Sequence, residues 1–281
     1  MSLSSVFRKT ILLLITVAAY SSADAVAQTY EAYLDSADNY IRLERWHDAA
    51  EATRHALRLK PGSPLNSRLF SNLGICLMHE GDYKSAIEAF DLALVRMPAD
   101  APLLASRASA NVLDGNREAA LVDVDKALSI DSLNSDALRI RGQLMLMKRR
   151  FPEAERDFSL LCKVDSTEVW GPAGLAECRI NDGNYVEAYT LLDRAIALSD
   201  SPELRISLVQ AQIEANRLDL AEESIREALK LYPRVGEFYL FRAVIHKKFY
   251  QNTEAELDKK IAKEYGADSQ IFEHYFPPVP K

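Results

Sequence analysis

Five histidines, three cysteines and a surplus of carboxylates are the residues of this chain that could do chemistry, and their spacing argues against it. His47, His55, His79, His246 and His274 are scattered, so a metal site would need several of them to converge by folding. No His-Glu-x-x-His and no Cys-x-x-Cys brings ligands together locally, and no glycine-rich loop is built to cradle a phosphate. Asp and Glu outnumber Lys and Arg by 41 to 34 and could be paired on paper into acids and bases. Solvated helix faces account for them better. The sequence therefore assigns no catalytic residue, no metal ligand and no cofactor, and the expectation is a chain that is not an enzyme.

Cys76, Cys162 and Cys178 are odd in number and lie inside helical patterns, which suits small buried hydrophobes rather than a disulfide framework. Cys162 falls near the end of one helical pattern and Cys178 about two turns into the next, an offset of ~10 Å that an unstrained bridge does not span. Free thiols are expected. The formal net charge is −7 with no basic stretch, which argues against nucleic acid, whose backbone demands clustered Lys and Arg.

The first residues are of another kind. Arg8 and Lys9 precede the apolar run "ILLLITVAA", and Ala25-Val26-Ala27 then offers a small-residue cleavage site before Gln28. That is the layout of a secretory signal peptide over residues 1–27. The run covers about half of the ~20 residues a membrane-spanning helix needs, no cysteine follows it for lipid attachment, and no later segment is apolar enough to span. The alternative is an uncleaved N-terminal anchor. The working chain is expected to be exported, either periplasmic or secreted.

The remainder keeps a period. Gly74, Ala108, Gly142, Ala176, Val209 and Ala243 recur at steps of 33 or 34 residues. A second thread runs through Ala49, Ala86, Ala120, Ala154, Ala188, Ala221 and Ala255, and a third through Ala56, Ala93, Ala127, Leu161, Ala195, Ala228 and Ala262. Each unit shows two helical patterns broken by turn chemistry, as in "EGDY" at 80–83, "DGNR" at 114–117 and "DGNY" at 182–185, while Pro61, Pro98 and Pro233 stop the units. Small residues at the crossings let paired helices approach closely, so that Leu73, Leu77 and Phe90 interdigitate around them.

On these residues the chain resembles the tetratricopeptide repeat family. The second unit carries Phe70, Leu73, Gly74, Leu77, Tyr83, Ala86, Phe90, Ala93 and Pro98 in the family's order. The first carries Tyr33, Ala37, Tyr40, Trp46, Ala49, Ala56 and Pro61, and the fifth Leu175, Ala176, Tyr185, Ala188, Leu192 and Ala195. The resemblance implies an all-α fold, a right-handed superhelical solenoid of antiparallel helix pairs with about seven repeats over residues 28–266, followed by a tail over 267–281. The fourth unit departs from the pattern with Arg149 for the loop glycine and Leu161 for a small residue, and the fifth with "WGPAG", which suggests a local irregularity. Lys247, Lys248, Lys259, Lys260 and Lys263 make the seventh unit polar, as suits a terminal cap, with a basic docking patch as the alternative. Thr253 with Glu256 reads as a capping box opening its second helix, which Gly266 ends.

The resemblance further implies a concave face lined by the first helix of each pair. Its candidates are Asp35, Asp38, Arg68, Asn72, Ser106, Ser109, Arg139, Gln143, Trp170, Glu177, Gln210 and Glu214. Leu34 and Asp38 stand where the Lys and Asn of the family's carboxylate clamp would be, so that clamp is absent. Trp170 and Arg139 are the interface-anchor types, although Trp170 could equally pack into its own unit. The implied role is a non-catalytic interaction scaffold binding a protein or peptide segment, with self-association or bracing inside an envelope complex as the alternative. The tail "DSQIFEHYFPPVPK" is either a lid over the last helix pair, hiding Phe272, Tyr275 and Phe276, or a docking peptide.

Overall fold

The computed structural model describes residues 29–277. The signal-peptide reading of residues 1–27 lies outside them, as do the last four residues of the tail. Among the described residues there are fifteen helices and no strand, divided into two compact units that meet in sequence at Ala137–Leu138.

Unit 1 holds α1 (29–42), α2 (Trp46–Leu59), α3 (Asn66–Glu80), α4 (Tyr83–Leu94), α5 (Ala101–Leu113) and α6 (Arg117–Ile130). From α3 to α6 each helix packs on the one before it, and α3 also touches α5. Unit 2 holds most of α7 (Ser135–Met147), then α8 (Phe151–Val164), α9 (Trp170–Asn181), α10 (Tyr185–Leu198), α11 (Pro202–Glu214), α12 (Leu218–Leu231), α13 (Gly236–Lys248), α14 (Asn252–Glu264) and the short α15 (Ser269–Tyr275). From α8 to α14 successive helices again pack together, α11 touches α13, and α15 lies on α13. Each unit is thus a stack of helix hairpins, the all-α architecture the periodicity implied.

All three small-residue threads point inward. Every alanine in them is buried, as are Leu161, Val209, Gly74 and Gly142. The close approach is between a ring and a backbone rather than between two bare backbones. A Cβ built on Gly74 would stand 2.5 Å from the Phe90 ring, and one on Gly142 would stand 2.8 Å from the Phe158 ring. Glycine in helix interiors costs about 1 kcal/mol against alanine; here it makes the socket that buries a phenylalanine completely.

Each of the seven hairpin turns places one residue in the left-handed region, which closes a helix without blocking the next. Gly81, Gly115 and Gly183 do so at no steric cost, whereas Glu44, Arg149, Asn216 and Tyr250 do so with side chains. Asp82, Asn116 and Asn184 then cap the following helices, their side chains accepting from the N–H of Ser85, Ala119 and Glu187. The expected capping box at Thr253 does not form. Left-handed Tyr250 sets the entry so that Gln251 precedes the helix and Thr253 falls inside it, while Glu256 pairs with Lys259 at 2.8 Å.

Candidate functional site

Polar chemistry inside the stacks is structural. Arg107 on α5 grips Asp123 on α6 through two hydrogen bonds and reaches Asp91 on α4. Arg141 grips Asp157 and Arg242 grips Asp258 in the same two-pronged manner, each partner sixteen residues on. The aspartates are almost fully buried, so the fork of the guanidinium supplies the hydrogen bonds that make a buried carboxylate tolerable. In the sequence this device is visible only as Arg and Asp sixteen residues apart at one phase of the third, fourth and seventh repeats. Arg179 similarly ties Glu155 on α8 to Glu187 on α10.

The thiols are quiet. All three cysteines are free, as their spacing implied, and burial pushes the Cys76 and Cys178 thiols up to about 11, which leaves little thiolate near neutrality. Among the described residues no three His, Cys, Asp or Glu side chains gather as a metal site.

Two hollows do gather candidate residues. In unit 1, Asp35 and Asp38 on α1 and Asn72 on α3 line a hollow of about 600 Å³ with Ile41 and Arg42. In unit 2, Gln143 on α7 and Trp170 and Glu177 on α9 line another of about 620 Å³, floored by Phe158 and Leu192 and walled by Leu146, Met147, Ala173, Gly174, Ile180, Glu203, Leu204 and Ser207. Trp170 opens α9 and is 47% exposed, so it faces the hollow rather than filling the core of its own unit. The "WGPAG" departure has a packing cause. A Cβ on Gly174 would collide with the Phe158 ring and one on Gly171 with Cys162 Sγ at 2.6 Å, so these two glycines let α9 settle onto α8. Glu177 is open to solvent yet set among apolar walls, and the resulting desolvation raises its pKa.

Other candidates are not brought into either hollow. Arg68 is exposed on α3, and Ser109, Arg139 and Gln210 are half-buried on α5, α7 and α11. Ser106 spends its hydroxyl on the carbonyl of Pro102 one turn back. Glu214 is taken by the tail, accepting a hydrogen bond from the Tyr275 hydroxyl at 2.7 Å, with His274 at 3.5 Å.

That tail is a lid. Ile271, Tyr275 and Phe276 pack on the buried cluster of Val209, Ile213, Phe238 and Phe241, and Tyr275 meets Phe241 edge to face. The lysines of the seventh unit hold it: Lys247 and Lys259 lie over the Phe276 ring at 5.0 and 4.8 Å, and Lys263 over Phe272 at 4.8 Å. The polar face read as a solvated cap is thus partly a cationic seat for the tail's aromatics.

Models of the tetratricopeptide repeat match residues 34–102 in unit 1 and 179–245 in unit 2. The chain carries tetratricopeptide repeats. A solved tetratricopeptide repeat protein from Parabacteroides merdae aligns over 88% of this chain and 97% of its own with a TM-score of 0.66 at 24% identity. YrrB, described as a tetratricopeptide repeat protein with an unusual peptide-binding site, aligns over 68% of this chain and 100% of its own with a TM-score of 0.57 at 20% identity. At these identities the repeats share a fold. Among curated proteins, BBSome complex member BBS4 of Bos taurus is 24% identical over 208 residues, 73% of this chain but 39% of that protein. The chain therefore spans well under half the length of that relative.

Proposed function

We propose that this chain is a non-catalytic scaffold that seats a segment of another protein in the hollow of unit 2. Tetratricopeptide repeats generally mediate protein–protein interaction, and the YrrB structure is described by its peptide-binding site, which supports the class of role. The observation that carries the reading for this chain is the half-exposed indole of Trp170 standing at a largely apolar hollow of about 620 Å³ that exposed Met147 also lines. Folded chains seldom leave an exposed tryptophan and an exposed methionine lining one concavity without a partner to cover them.

The basic, apolar and small-residue layout of the first residues supports export, so the partner belongs to the envelope or the secreted space. Among the described residues no helix is long and apolar enough to cross a membrane. The experiment is crosslinking in cells from a photoreactive residue at position 207, on the wall of the same hollow, with capture repeated from that position in a chain that also carries Trp170→Ala/Met147→Ala. Loss of the captured protein by a folded double variant supports the hollow as the seat. Undiminished capture removes it, and crosslinks only to a second copy of the chain replace it with self-association. A mature N-terminus at Gln28, read by mass spectrometry, tests the export step.

A further inference from the structure

We infer that the hollow of unit 2 selects a partner segment bearing a Lys or Arg side chain flanked by apolar ones, the cation seated between Glu177, Glu203 and the face of Trp170. This rests on the scaffold reading above and goes beyond it by naming the chemistry of the partner.

The charged side chains lining the hollow are Glu177 on α9 and Glu203 at the start of α11, both carboxylates, with no Lys, Arg or His among the lining residues. Elsewhere unit 2 pairs its carboxylates readily: Glu155 and Glu187 with Arg179, Asp157 with Arg141, Asp200 with Arg205, Asp258 with Arg242. Among the described residues neither Glu177 nor Glu203 makes an ion pair or a side-chain hydrogen bond. Glu177 shares the hollow with Leu146, Met147, Ala173 and Ile180, partly desolvated and without a partner, and a cation brought by a ligand supplies one. The Trp170 ring adds a second attraction, since a guanidinium or ammonium over an indole gains from the ring quadrupole. The apolar walls supply burial for the residues on either side of the cation. An acidic ligand meets only like charge among the lining side chains and is rejected.

The test uses the full chain and short synthetic peptides of one apolar frame carrying a central Arg, Gln or Glu, followed by fluorescence anisotropy. The Arg peptide is expected to bind about tenfold or more tighter than the Gln peptide, with the Glu peptide weaker still. Glu177→Gln/Glu203→Gln, checked for folding by circular dichroism, should bring the three peptides level, and added salt should erode the preference in the wild type only. Equal binding of the three by the wild type, or a preference surviving in the double variant, overturns the inference. In either case weaker binding by Trp170→Ala keeps the scaffold reading, whereas unchanged binding by that variant removes it too. Binding of none of the peptides overturns the inference while the crosslinking result above still decides the reading.

Discussion

The Phe158 ring occupies the space that a side chain at Gly174 would need, so one aromatic side chain joins the packing of α8 and α9 to the floor of the hollow. Gly174→Ala should therefore force the ring or the helix to move and cost about 1–3 kcal/mol on urea unfolding. It should also weaken any ligand of the hollow. Gly62→Ala is the control: a Cβ there meets nothing within 4 Å, and its effect should stay within about 0.5 kcal/mol.

The turns supply a gain rather than a loss. Arg149 and Tyr250 hold left-handed backbones, at φ of 56° and 63°, that cost a residue with a Cβ about 1–2 kcal/mol. Arg149→Gly and Tyr250→Gly should each raise stability by about 0.5–1 kcal/mol, after the entropy that glycine adds to the unfolded chain. Equal or lower melting midpoints would show that the side chains contribute more than the strain costs. Tyr250, at 89% exposed, is the cleaner site because little packing is lost with its ring.

Buried and exposed ion pairs should separate sharply. Asp258 is buried and accepts from Arg242, with His246 Nδ1 3.1 Å away, so Asp258→Ala strands a partly buried guanidinium and should cost about 2–4 kcal/mol. Glu256→Ala removes an exposed partner of Lys259 one turn away and should change stability by less than about 1 kcal/mol. Comparable losses in the two variants would mean that the buried pair contributes no more than the surface one.

What the sequence displayed and what it hid follow from range. The threads through Ala49, Gly74 and Ala56 were legible because a repeat writes its core contacts at a fixed step, and the hairpins followed. The capping box expected at Thr253 fails on the left-handed conformation of Tyr250, a state that residue type alone does not announce. The sequence placed Trp170, Gln143 and Glu177 on the same face. That they share a hollow while Arg139 and Gln210 do not depends on how Gly171 and Gly174 seat α9, a contact between helices that periodicity does not encode. Lys247, Lys259 and Lys263 display only charge in the sequence, whereas in the fold they lie over rings that reach them once the tail folds back.

The tail tests itself through a single hydroxyl. Burial and the neighbouring Glu214 carboxylate both hold the Tyr275 pKa well above its ordinary value, so the phenol stays a donor throughout the neutral range. Tyr275→Phe should keep the edge contact with Phe241 and lose only the bond to Glu214, costing about 0.5–1.5 kcal/mol and raising hydrogen exchange across 269–277. No change in exchange would mean that the aromatic contacts alone hold the lid.

Glu177 should exchange stability for binding, and the sign of the pH dependence follows from its environment. Its pKa in the folded chain lies above the ordinary glutamate value because the walls of the hollow desolvate the charged form. A carboxyl group with a raised folded-state pKa favours the folded chain while it is protonated, below its unfolded pKa. That contribution is lost as pH rises through the folded value. Glu177→Gln should thus match the wild type in acid and melt at a higher temperature near neutrality, the gap opening across the interval between the two pKa values. The other charged residue lining the hollow is Glu203, also a carboxylate, so the lining itself offers Glu177 no cation. A wild type at least as stable as the variant at neutral pH would mean that the carboxylate has found a partner in the free chain, and the hollow would then have no unmet charge to offer a cation.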